Sequence, residues 1–111
     1  MATWTEFATA APAMSAAVAA RLKAHKHHVL ATLRKDGSPR VSGTEVEFTD
    51  NGLLRLGSMP NALKAVDLQR DPRFALHSNP GHHTMDGGDA KLSGTAVELT
   101  DPDELQRIFD A

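Results

Sequence analysis

The chain is predicted to fold as a mainly β domain: an antiparallel barrel, closed or nearly closed, with helices at its edges. Three observations carry that expectation. Runs suited to short strands recur at 28–34, 40–48, 53–58, 74–78 and 90–99, the first two with clear two-residue alternation. Asp36-Gly37 and Asp50-Asn51-Gly52 separate the first three runs and supply the residues that tight antiparallel turns need. A single helical segment, 61–70, interrupts the strands, so the repeated helical crossovers of a doubly wound parallel sheet are missing.

The elements follow in chain order. Residues 1–11 show no clear period. From Pro12 to about residue 25 an Ala-rich stretch reads as a helix: Pro12 suits its first turn, and Met14, Val18 and Leu22 recur four apart as an apolar stripe. At His28 the period changes. Val29, Ala31 and Leu33 take one face of the first strand, and Leu30, Thr32 and Arg34 the other. The second strand, Arg40–Phe48, and the third, Leu53–Ser58, complete an antiparallel meander. Pro60 suits the start of a short helix whose apolar side is expected from Leu63 and Val66, and Asp71-Pro72 stops it. Phe74–Ser78 and Ala90–Leu99 are the fourth and fifth strands, joined by the loop 79–88 with its three Gly and one Pro. Asp101, Pro102 and Glu104 open a C-terminal helix over about 101–110 with capping-box-like spacing. Residues 42–50 (SGTEVEFTD) and 93–101 (SGTAVELTD) agree at seven of nine positions. The echo reads either as two strands sharing a Gly kink and a polar exit, or as related barrel strands from an old duplication.

Composition narrows the function. With 111 residues the chain makes one domain, 1–111. A formal net charge of −2 argues against nucleic acid or an anionic membrane as the main partner. The chain has no Cys, which removes disulfides, thiol catalysis and Cys-ligated metals. No apolar run approaches the ~20 residues of a membrane span. Glu6 stands where a signal peptide would be basic, so the expected compartment is the cytoplasm.

One constellation suggests chemistry. Arg40, Ser42 and Thr44 share a strand face, Ser58 and Asn61 flank the passage into the short helix, and Lys64 lies on its first turns. A strand-to-helix junction offers free N–H groups to an anionic phosphate, and Arg and Lys add charge-assisted hydrogen bonds. The competing reading makes Lys64 a solvated helix residue and Arg40 a surface charge. Six histidines include His25, His27 and His28, read as surface residues at a helix-to-strand turn, and His82-His83 in the long loop. No metal-binding spacing occurs among them, so no metal site is expected. Gly43, Gly57 and Gly94 within strands mark bends, bulges or the close approach of a ligand.

The segments HHVLATLRKDGSPRVSGTEVEF, LLRLGSMPNALKAVDLQRDPRFAL and DAKLSGTAVEL resemble the pyridoxamine 5′-phosphate oxidase-like superfamily, the FMN-binding split barrels. The resemblance covers about 28–99. It implies a split β-barrel that binds FMN, or a deazaflavin coenzyme, in grooves of a homodimer, and acts on a small-molecule substrate as an oxidoreductase. The alternative it leaves is a non-catalytic module that binds a flavin or haem for storage, sensing or stress protection. It further implies phosphate contacts from Arg40, Ser58 and Lys64, with Met59 beside them, and a ring lying along Val41, Ser42 and Gly43. Two positions depart from the oxidase pattern. Leu63 stands where that pattern has a basic residue, and Glu45 where it has Lys. Both reduce the positive charge offered to FMN and to a pyridoxal-phosphate substrate. Relatives commonly continue with another strand after the last helix, so the chain is expected to be a minimal or shortened version. The loop 79–88 is expected either to overhang the ring or to be a plain surface connection.

Overall fold

Strand order follows from short turns and one helical crossover. The computed structural model describes residues 3–49, 54–57, 62–81, 84 and 86–98. Helices α1 (Trp4–Ala10) and α2 (Pro12–Ala24) come first, then strands β1 (His27–Leu33), β2 (Pro39–Phe48) and β3 (Leu54–Leu56). Helix α3 (Leu63–Arg70) leads to β4 (Arg73–His77) and β5 (Lys91–Thr95). The strands form one five-stranded sheet in the order β3-β2-β1-β4-β5, with every pair antiparallel. It curls into a half-barrel flanked by helices. The expected antiparallel barrel class is therefore present. Among the described residues β3 and β5 remain its two edges, because α3 carries the chain from beside β2 across to the far side of β1.

The β1–β2 turn forms as its residues require. Gly37 adopts φ +88°, and the Asp36 carboxylate accepts from both the backbone N–H and the hydroxyl of Ser38. Register then fixes the faces. Leu30 lies opposite Ser42 on one side and Leu76 on the other, and Leu76 lies opposite Leu92. Leu30 and Leu76 meet Leu22 of α2 as the buried core, with Val18, Val46, Phe48, Leu54, Leu56, Leu68, Phe74 and Leu92 packed around it. The same inner face carries buried His28, Thr32 and Thr44, while Val29 and Val41 face outward.

Four expectations need correction. Residues 4–10 form a helix although they lack an apolar period. Its start is an N-cap: the Glu6 N–H donates to the Thr3 hydroxyl, which donates in turn to the Glu6 carboxylate. Trp4 then packs against Phe7 and Phe48, at ring-centroid distances of 5.3 and 5.1 Å. The stripe on α2 is incomplete, since Met14 is exposed and Ser15 is buried in its stead, its hydroxyl donating to the Pro12 carbonyl. On α3 the side expected to be apolar faces out: Leu63 and Val66 are exposed and Asp67 is buried. Strand β5 ends at Thr95: the Ala96 N–H still donates to the Pro72 carbonyl in the same register, but the proline has no N–H to return the bond. The turn at 50–52 and the helix expected at 101–110 lie outside the described residues.

Candidate cofactor site

Helix α3 meets the sheet through charge. Asp67 is 2% exposed. Its Oδ2 accepts from Arg40 Nε at 2.7 Å and from the Thr32 hydroxyl at 2.8 Å, and its Oδ1 accepts from Arg70 Nη2 at 3.0 Å. Thr32 and Arg40 lie opposite each other in the β1–β2 register, so one carboxylate ties α3 to two strands at once. Arg70 Nη2 also donates to the Leu33 carbonyl at 2.6 Å. The Arg40 hydrogen bond, above all, holds the Asp67 carboxyl at about 2, with Thr32 and Arg70 adding to it. Asp67 is therefore an anion at any physiological pH. Removing one partner of such a buried pair costs far more than the pair contributes net, because the survivor is left uncompensated.

One turn earlier on α3, Lys64 Nζ donates to the Gly43 carbonyl at 2.9 Å. Among the described residues, β2 pairs with β3 over Val46–Phe48 and with β1 over 39–45, which leaves that carbonyl outside both ladders. The Gly57 N–H takes the Glu45 carbonyl at 3.3 Å. Carbonyls two apart on a strand point to the same side, so Gly43 presents the next one along. From Pro39 to Gly43, among the described residues, β2 has no strand on its side away from β1.

The expected site residues are thus partly assembled. Arg40, Gly43 and Lys64 gather where α3 crosses β2. Arg40 and Ser42 are half-buried on the inner face, whereas Val41 and Gly43 are exposed on the outer one. A Cβ added at Gly43 would meet nothing within 4 Å, so the glycine leaves open space beside the strand. Ser58, Met59, Pro60 and Asn61, and likewise His82 and His83, lie outside the described residues. Arg40 differs from the expected reading in having an internal partner. The bond to Asp67 uses one of the five N–H donors of its guanidinium. Of the two departures, Glu45 faces Lys26 at 3.7 Å and His27 at 3.5 Å, and Leu63 is 60% exposed beside Lys64.

Sequence reasoning missed Asp67 and Arg70. The signal was there: Lys64, Asp67 and Arg70 recur three apart, which places them along one side of a helix. His28 was also misread as a surface residue. It is buried, its Nε2–H donating to the Leu22 carbonyl at 2.8 Å and its Nδ1 accepting from the Asn79 N–H at 2.9 Å. Towards the other end of β2, Val46, Glu47 and Phe48 line an open groove with Leu22–Lys26 of α2 and the turn after it, where Lys23 Nζ sits 5.0 Å from the Phe48 ring centre.

Comparison with known proteins agrees with this fold. The family described as pyridoxamine 5′-phosphate oxidase matches residues 14–111. The chain belongs to the pyridoxamine 5′-phosphate oxidase family. Membership makes it one of a group of flavin-binding, oxidoreductase type. A Listeria innocua protein named as a candidate pyridoxamine 5′-phosphate oxidase has a similar fold, with a TM-score of 0.66 and 22% identity over 84% of this chain and 72% of that one. An Agrobacterium tumefaciens protein of unknown function matches with a TM-score of 0.65 and 25% identity, over 89% of this chain and 44% of that one. No curated protein matches the chain in sequence. As to membranes, no described helix of this pyridoxamine 5′-phosphate oxidase family member is long and apolar enough to cross one.

Proposed function

We propose that the chain binds FMN where α3 crosses β2, in a homodimer, and serves as a flavin-dependent oxidoreductase acting on a small molecule. One observation carries this reading: Arg40 and Lys64 stand along the stretch of β2 that, among the described residues, has no partner strand on its side away from β1. The residues fit the group. Arg40, Lys64 and Arg70 outnumber Asp67, leaving a net positive seam for a phosphate. The backbone groups of Val41 and the N–H of Gly43, which face away from β1, suit the polar edge of a flat heterocycle, and the open space at Gly43 admits it. When bound, the flavin supplies the hydride chemistry; the chain anchors the phosphate and places the ring. A deazaflavin coenzyme, which also carries a phosphate, is the alternative ligand for the same seam.

The test is a fluorescence titration with FMN. Each charged contact contributes on the order of 1.5–3 kcal/mol. Lys64→Ala should therefore weaken FMN binding roughly ten- to a hundredfold, at 1.4 kcal/mol per decade. Its circular dichroism should be unchanged. Unaltered affinity in a folded variant would remove Lys64 from the site.

The dimer is proposed because a half-barrel of this size does not enclose a flavin alone. Val41 at 70% exposure and Leu63 at 60% add apolar surface close to the seam. Sedimentation at tens of micromolar should give twice the 11.9 kDa chain mass, and a monomer that still binds FMN tightly would refute this. A second reading, a non-catalytic flavin-binding module, draws on the state of Asp67. Held at about 2, it does not donate a proton at neutral pH. Turnover of the bound cofactor with a reductant separates the two. His28 and His77 are poorly placed to ligate a haem iron, since both ring nitrogens of each are already bonded.

A further inference from the structure

Two arginine–aspartate pairs in this chain differ by one bond. Arg73 grips Asp71 through Nε and Nη2 together, at 3.0 and 2.7 Å. Arg40 reaches Asp67 through Nε alone, at 2.7 Å. A planar guanidinium beside a carboxylate favours the two-bond fork, because parallel N–H groups then each meet an oxygen. At Asp67 the second oxygen is withheld from Arg40.

Arg70 withholds it. Its Nη2 donates to Asp67 Oδ1 at 3.0 Å and to the Leu33 carbonyl at 2.6 Å. Leu33 lies beyond the last β1–β4 pair, Ala31 with Ala75, so its carbonyl is open to a side chain. These two acceptors fix the Arg70 head group against the sheet without any ligand. At Oδ2 the Thr32 hydroxyl joins Arg40 Nε. Both oxygens of Asp67 are thus occupied, and the N–H groups on both Nη atoms of Arg40 keep no partner among the described residues. The Arg40 side chain is 22% exposed whereas Asp67 is buried, so a ligand can reach the arginine but not the carboxylate.

We propose that Arg70 is a positioning residue: by holding Oδ1 of Asp67, it keeps the Nη groups of Arg40 free to fork onto a phosphate. The inference rests on the reading of the β2–α3 seam as a flavin-phosphate site and says what readies that site before the ligand arrives. Without Arg70, Oδ1 is open and Arg40 closes a second bond onto it, as Arg73 does with Asp71. A phosphate must then break a charge-assisted bond before it can use that edge of the guanidinium. Lys64 stands apart from this exchange, since its Nζ donates to the Gly43 carbonyl on the strand. Lys64 therefore reports on the seam, and Arg70 on the state of Arg40.

Two measurements on the whole chain test this. Arg70→Ala should weaken FMN binding about tenfold, the effect of one charge-assisted hydrogen bond, and leave binding of riboflavin, which has no phosphate, unchanged. A merely structural role would weaken both ligands alike. In the Asp67→Asn background no carboxylate captures Arg40, so adding Arg70→Ala should change FMN affinity by no more than about twofold. If Arg70 only added positive charge, the loss would be the same in both backgrounds. The second measurement needs no cofactor. Nitrogen-detected spectra of the arginine side chains should show the Nη groups of Arg40 averaged by rotation in wild type, and resolved into separate signals by the second bond in Arg70→Ala. Arg40 signals identical in the two chains, or an FMN loss that persists in the Asp67→Asn background, would overturn the inference. Lys64→Ala binding FMN as tightly as wild type would instead overturn the reading on which it rests.

Discussion

Replacing Asp67 with alanine should lower the melting temperature by roughly 10 °C or more, since disrupting a buried ionic network is among the few severe single-site effects. The loss has three parts. The Thr32 hydroxyl, itself buried, loses its acceptor; Arg40 loses its counter-ion; and α3 loses the carboxylate that ties it to β1 and β2. Asp67→Asn keeps the shape and one acceptor oxygen, so it should fall between wild type and Asp67→Ala. Acid separates charge from shape. The carboxyl titrates at about 2 in the folded chain against 3.8 unfolded. Between those values the unfolded chain binds the extra proton, so stability rises with pH. Asp67's contribution is complete above about pH 4 and fades as pH falls through about 2. Asp71, also held at about 2 chiefly by Arg73, acts with the same sign. Stability in urea measured from pH 5 to 2 should fall less steeply in Asp67→Asn than in wild type. Equal slopes would mean that the network does not form.

Leu30→Ala should cost about 3–4 kcal/mol, the usual size for a leucine removed from a packed core. In this chain that is a large share of the whole, because domains are stable by only ~5–15 kcal/mol. The fully buried cluster among the described residues is Leu22, Leu30 and Leu76, and Leu30 pairs in register with β2 on one side and β4 on the other. Its loss opens a cavity at the centre of the sheet that neighbouring strands cannot close without leaving register. Urea denaturation should show a lower midpoint with the slope unchanged. A cost below about 1 kcal/mol would place Leu30 outside the core.

The sheet was legible because its signals are local. Alternation put Leu30 and Thr32 on one face, Asp36-Gly37 made the first turn, and Asp71-Pro72 ended α3, all as the structure has them. Where reasoning failed, a polar group outbid an apolar one. Leu63 and Val66 promised the inner side of α3, but two arginines and a threonine supply Asp67 with enough hydrogen bonds for the carboxylate to be the buried member. His28 was misread as a surface residue for a different reason: the partners that bury it lie six and 51 residues away in the chain. Helix α1 escaped because its evidence is Thr3 and Glu6, a cap without a stripe. At the candidate site, the residue types at Arg40, Gly43 and Lys64 pointed to the β2–α3 seam. Arg40's internal bond to Asp67 did not show, since nothing in the sequence pairs residues 27 apart.

The most direct test of the account is a crystal structure of the chain grown with FMN. It should show a dimer, with the phosphate within hydrogen-bond distance of Arg40 and Lys64 and the ring against Val41–Gly43. Flavin bound in the groove beside Lys23 and Phe48, or a phosphate held by neither Arg40 nor Lys64, would contradict it.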